Sequence, residues 1–98
     1  MSAIRELDES NASLRLLIML LEVDKSLMQS ELYEEMRKRY SLGRRVVETA
    51  VGTCIKLGLV KREKERFGSN PMPSLMHALT PKGKKAAQIL VKLEETLT

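Results

Sequence analysis

Two groups of cationic side chains in this chain are spaced to meet a polyanion. Arg44 and Arg45 open a stretch of helical periodicity whose exposed positions continue with Glu48, Thr49, Gly52, Thr53 and Lys56. A helix so equipped fits the major groove of duplex DNA, where a guanidinium reaches guanine or a phosphate and its neighbours fix register. Glu48 in that row would repel phosphate unless it accepts from a cytosine or pairs with Arg44 or Arg45, and Gly52 would allow close approach. Arg62, Lys64 and Arg66 form the second group. They alternate within an extended segment over 59–66, so a strand presents all three on one side, with Leu59, Lys61, Glu63 and Glu65 on the other. Arg66 lies nearest the following loop, best placed for a minor groove. Lys82, Lys84 and Lys85 open the last helical stretch and are candidate phosphate contacts.

The charge distribution points the same way. The 98 residues carry a net charge of +4, yet residues 37–85 hold thirteen Lys and Arg against three Glu, a local +10, and the remainder is −6. A field so divided implies a polyanionic partner met by the middle of the chain: nucleic acid first, an anionic membrane surface or an acidic protein behind it. Arg37, Lys38 and Arg39 are read instead as a solvated helix end that balances its own C-terminal dipole.

Other chemistry finds little support. His77 is the single histidine and Cys54 the single cysteine. His77 is expected to be structural or exposed and Cys54 a small core residue; a redox thiol would need exposure and a depressed pKa. There is no Cys/His cluster for a metal, no glycine-rich phosphate loop and no paired catalytic carboxylates. The expectation is a protein without cofactor or metal and not an enzyme. The longest apolar run, Leu16 to Leu21, is six residues, too short to span a bilayer. No secretory leader is visible at the start, and one cysteine suits a reducing cytoplasm.

Positioning these side chains requires a small aliphatic scaffold, since the chain has one Phe, two Tyr and no Trp. The first residues, 1–9, read as a polar lead-in, residues 10–80 as one domain, and 81–98 as a terminal helix. Leu14, Leu17, Ile18 and Leu21 recur at helical spacing, with Leu16, Met19 and Leu20 widening the face; Ser10 or Asn11 is the candidate cap. A second helix runs from about Gln29 to Arg39 with Leu32 and Met36 inward. It is joined through Tyr40-Ser41-Leu42-Gly43, whose glycine suits a tight turn. In the third helix Val47, Ala50, Val51, Cys54 and Leu57 form one stripe, closed by Gly58 in the left-handed conformation. Residues 67–74, with Gly68, Asn70, Pro71 and Pro73, read as a loop stiffened at its tip, and Leu75 to Leu79 as a strand pairing back. Thr80 then caps a last helix with Pro81 at its first position.

Helix, helix, helix, strand, loop, strand, long helix is the winged helix-turn-helix plan: mainly α (α+β), a three-helix core with a two-stranded β-wing. Leu57-Gly58-Leu59-Val60-Lys61-Arg62 and Leu79-Thr80-Pro81-Lys82-Gly83 together resemble the end of a recognition helix, the first wing strand, and the start of the helix after the wing. The resemblance is to winged-helix transcription regulators of the MarR-like kind, including small archaeal-type ones, and covers roughly residues 10–90. It implies a sequence-specific regulator bound to double-stranded DNA. The chain departs from that pattern in lacking an Asp-x-Arg element in the wing, where Asn70-Pro71-Met72-Pro73 stands, and in having Met28 where a capping Thr or Ser is usual. It also lacks the length for the flanking helices that build a drug-sized pocket, so small-molecule sensing is left open.

The terminal helix carries a further expectation. Ala86, Leu90, Leu93 and Leu97, flanked by Ile89, make a short coiled-coil seam. Leu93 and Leu97 lie beyond the reach of a compact core, which suggests a homodimer, with Ile4 and Leu7 as possible additions. The competing reading is a winged-helix module for protein–protein contact within a transcription or replication assembly, its basic face meeting an acidic partner.

Overall fold

The computed structural model describes residues 11–65 and 74–97. Helix α1 (Asn11–Val23) is followed by a two-residue strand β1 (Leu27–Met28), then α2 (Gln29–Tyr40) and α3 (Arg44–Lys56). The hairpin strands β2 (Val60–Glu65) and β3 (Ser74–Leu79) come next, and α4 (Pro81–Leu97) closes the chain. This is a winged helix, as its element order implies. One element has no counterpart in the sequence pattern. Leu27 and Met28 pair antiparallel with β3, opposite His77 and Met76, so the two-stranded ribbon is part of a three-stranded sheet ordered β1-β3-β2. Two residues show no alternation, and the strand is made by its partner rather than by its own pattern.

The core is aliphatic and centred on α1. Ala12, Leu16, Leu17, Met19 and Leu20 are buried, while Leu14, Ile18 and Leu21 are only half covered. The buried arc is thus rotated from the stripe chosen by spacing, because the six-residue apolar run offers several equivalent stripes and packing selects one. From α2 come Leu32 and Met36, and from α3 Val47, Ala50, Val51 and Cys54, all essentially inaccessible to solvent. Each buried Leu, Met or Val side chain contributes about 1.5–3 kcal/mol. Arg15 lies over the Tyr40 ring at 5.1 Å, and Arg39 reaches Glu22 at 3.6 Å, so two cations on facing helices also join α1 to α2. Arg39 also pairs with Glu35 of its own helix at 2.9 Å, and its contact to Glu22 makes it a tie between helices and not only a solvated end.

The starts of α2 and α3 both lack a capping side chain. Met28 precedes α2 in extended backbone, and the Glu31 carboxylate accepts from the Met28 N–H at 2.9 Å, half of a capping box. Between α2 and α3 the left-handed residue is Ser41 (φ 57°, ψ 33°), whereas Gly43 has an ordinary extended backbone (φ −76°, ψ 164°) at the cap of α3. The turn therefore does not draw on the glycine expected to make it.

The joint between α3 and α4 is the most constrained part of the fold. After Leu57 the chain turns through Gly58 (φ 75°), which an L side chain would resist. Three successive carbonyls at this turn then accept from the start of α4. Leu57 takes the Lys82 ammonium at 3.1 Å, Gly58 the Thr80 hydroxyl at 2.6 Å, and Leu59 the Thr80 N–H at 3.0 Å. The Thr80 hydroxyl oxygen accepts in turn from the Gly83 N–H at 2.9 Å, the N-cap expected of it. Leu59 and Val60 are both buried. Alternation alone places Leu59 on the side opposite Val60, but the turn at Gly58 precedes the strand and takes Leu59 out of that alternation. Gly83 packs so closely here that a Cβ would lie 1.8 Å from the Leu59 oxygen.

Gly83→Ala should therefore force the main chain apart and cost about 3 kcal/mol, the upper end for overpacking. Gly52→Ala meets nothing within 4 Å and should be neutral or stabilising by up to about 1 kcal/mol through helix propensity. Urea denaturation of the two variants beside the parent measures both.

Candidate nucleic-acid interface

Arg44 of α3 and Arg62 of β2 stand on either side of one acidic residue, Glu48. The first turn of α3 contains no acid and begins after a glycine cap, so Arg44 and Arg45 stand exposed at the positive end of the helix dipole. Arg44 lies over the Tyr33 ring of α2 at 5.1 Å. Glu48, one turn further along, accepts from the Tyr33 hydroxyl and, at 3.2 Å, from the Gln29 amide. Gln29 also donates to the Tyr33 oxygen at 2.7 Å. Arg62 of β2 approaches the same carboxylate at 3.7 Å. The Tyr33 hydrogen bond chiefly, with Gln29, Arg62 and Arg44 adding to it, holds the Glu48 carboxyl below its ordinary range against the opposing effect of burial. Glu48 thus remains ionised and engaged within the protein; the partner it takes is neither Arg45 nor a direct ion pair to Arg44.

The strand arrangement follows from register. Arg62 stands opposite His77, and Lys64 opposite Leu75, in the β2–β3 ladder. Directly opposed residues in an antiparallel pair share a face. Arg62 Nε donates to His77 Nε2 at 2.9 Å, and His77 Nδ1 lies 3.4 Å from the Leu27 oxygen. His77 is buried and structural, and burial foremost pushes its pKa down from the usual 6.5. On the other face of the strand Lys61 pairs with Glu63 at 3.5 Å, leaving the Arg62 and Lys64 side the more positive.

The remaining candidates divide. Thr49 is exposed and donates to the Arg45 carbonyl of its own helix at 3.1 Å; Thr53 is half-buried; Lys56 is exposed at the last turn of α3. Gly52 has open space over it, which leaves room for close approach. Lys82 serves the α3–α4 joint. Lys84 lines a cleft with Leu20, Asp24 and Lys25 near the end of α1, a different stretch of surface from the α3 face. Arg66, the loop prolines, Ile4 and Leu7 lie outside the described residues. Among the described residues Arg44 and Arg45 make no ion pair.

Sequence reasoning misses Tyr33, Gln29 and Val46. The first two sit on α2 rather than α3, and only the α2–α3 crossing brings them to Glu48. Val46 is 47% exposed beside Arg45, although its residue type suggests cover. Cys54 is buried, with its thiol 3.9 Å from the Ser13 carbonyl oxygen and its pKa pushed up by burial to about 12, so it is an inert core residue. Among the described residues no group of His, Cys, Asp and Glu gathers to hold a metal, and no helix is long and apolar enough to cross a membrane.

The expected coiled-coil seam divides on α4. Ala86 and Leu90 pack against the domain's own core, and Ala87 is fully buried. Ile89, Leu93 and Leu97 are left 62%, 52% and 76% exposed at intervals of four.

No protein-family model and no curated protein sequence matches this chain. Solved structures do. A PadR-family transcription regulator from Clostridium difficile R20291 superposes with a TM-score of 0.74 at 20% identity, covering 88% of each chain. F-93 of SSV1 gives a TM-score of 0.64 at 24% identity over 87% of this chain and 88% of its own. A transcriptional regulator homologue from Pyrococcus horikoshii OT3 gives 0.65 at 19% identity over 99% and 94%. At these identities the likeness is one of fold.

Proposed function

We propose that this protein is a sequence-specific transcription regulator that lays α3 in the major groove of duplex DNA and the β2–β3 wing on the adjacent groove or backbone. The observation that carries this reading is the placement of Arg44 and Arg45 on the exposed first turn of α3, free of ion pairs among the described residues and contiguous through Glu48 with Arg62. Helix N-terminal residues are those that reach base edges in this docking geometry. Val46 beside them offers an apolar surface suited to a thymine methyl. Lys64 extends the cationic track along the wing, and the fold neighbours described as transcription regulators support the same assignment. The residues around Leu57–Arg62 and Leu79–Gly83 favour the MarR-like kind among winged-helix regulators.

The Ile89, Leu93 and Leu97 stripe supports pairing with a second copy through α4. A two-fold dimer would present two α3 helices to half-sites about 34 Å apart.

Duplex affinity measured by fluorescence anisotropy from low to high salt tests the first part. Wild type should lose log K steeply with log salt. Arg44→Ala with Arg45→Ala should weaken binding by about 1–3 kcal/mol for each base edge no longer read, and flatten the slope by about 0.9 for each phosphate no longer neutralised. Unchanged affinity and slope would instead favour a protein-contact role for this face. For the second part, Leu93→Glu with Leu97→Glu should convert a dimer to a monomer in light scattering without lowering helix content; a monomeric parent at high concentration would remove the dimer.

A further inference from the structure

Resting on that reading, we propose that His77 is a positioning residue that acts through Arg62: its neutral Nε2 lone pair holds the guanidinium at the root of the wing for contact with the duplex backbone. The sheet places the three participants in one row, Leu27 on β1, His77 on β3 and Arg62 on β2, each opposite the next. Geometry sets the tautomer. Arg62 Nε carries a hydrogen and is a donor only, so Nε2 at 2.9 Å must be the acceptor, and the ring hydrogen sits on Nδ1 facing the Leu27 oxygen at 3.4 Å. His77 is essentially inaccessible to solvent, so both ring nitrogens draw on protein partners.

The consequence for Arg62 is directional. Its Nε is tied inward, while Nη2 lies 3.7 Å from Glu48, an ion pair without a close hydrogen bond. The terminal amino groups of the guanidinium therefore remain available to phosphate oxygens, and the side chain is one-third exposed. A protonated His77 would have a donor at both nitrogens. Its Nε2–H would face Arg62 Nε–H, one cation against another, and expel the guanidinium towards Glu48.

The charged groups acting on the ring, among the described residues, are Arg62 from β2 and Glu48 from α3. The Leu27 carbonyl from β1 bears on it as well, and Tyr33 and Gln29 of α2 act on it only through Glu48. Burial and Arg62 oppose protonation, while the Leu27 carbonyl and Glu48 favour it, and the balance lies below the ordinary value. The sign for DNA binding follows. Above the usual 6.5 the lone pair is intact and Arg62 contributes fully; the contribution disappears as pH falls through the lowered value of the folded protein.

The experiment compares duplex affinity of wild type and Arg62→Ala from pH 8 to pH 5, then repeats the pair in His77→Gln and His77→Leu backgrounds. The wild-type to Arg62→Ala ratio is expected to exceed one at pH 8, with a salt slope steeper by about 0.9, and to fall towards one in step with protonation of the His77 ring, followed by its nitrogen-15 shifts in the same series. Gln supplies an uncharged acceptor, so in that background the ratio should persist at low pH, whereas Leu should abolish it at every pH. A ratio that ignores both pH and residue 77 overturns the proposal while leaving duplex binding intact. Absence of duplex binding altogether overturns the regulator reading. In that event the nitrogen-15 spectrum of the free protein still tests the geometry. As the single histidine gives one unambiguous ring, a proton found on Nε2 in neutral solution would refute the positioning contact.

Discussion

Three consecutive carbonyls at the end of α3, bonded by the first residues of α4, hold the molecule in its working shape. Leu57, Gly58 and Leu59 cannot be satisfied within the helix they terminate, and a left-handed Gly58 turns them outward. Thr80 and Lys82 answer all three. Since β2 leaves from Val60 and β3 arrives at Leu79, this joint sets both roots of the wing, and it sets them relative to α3. The approach of Gly83 to the Leu59 backbone shows how little slack is available. Wing and helix can then carry cations to a common surface without a long stiffening element of their own.

The electrostatics built on that frame are selective rather than simply positive. Glu48, the one acid of α3, is engaged by Tyr33, Gln29 and Arg62, contacts that draw α2, α3 and β2 together. Arg44 lies over the Tyr33 ring and faces solvent. Exposed ion pairs add little to stability, so the value of this arrangement is in placement. The same holds for His77, whose Nε2 accepts from Arg62 Nε.

Much of this is legible in the residues. The motifs around Leu57-Gly58-Leu59 and Thr80-Pro81-Lys82-Gly83 stand out as separate cues, and each local feature they imply, the left-handed glycine and the threonine cap, is what forms. What the sequence does not display is that the two motifs dock on each other, because hydrogen bonds between segments twenty-five residues apart leave no periodicity. For the same reason β1, two residues long, is invisible, and the buried stripe of α1 is ambiguous where a continuous apolar run permits several. Residue type alone assigns Lys82 and Glu48 to DNA contact; both have protein partners that only the packing of helices reveals. His77 and Arg62 can be paired only with the hairpin register in hand, and a loop of irregular composition conceals that register.

Chemical-shift mapping of the isotope-labelled protein with a short duplex tests the central claim most directly. Backbone amides of Arg44 to Thr53 on α3 and of Arg62 to Lys64 on β2 are expected to shift together, in a titration that weakens as salt is raised. Shifts confined to α2 or α4, with the α3 and β2 amides unmoved at low salt, would contradict it.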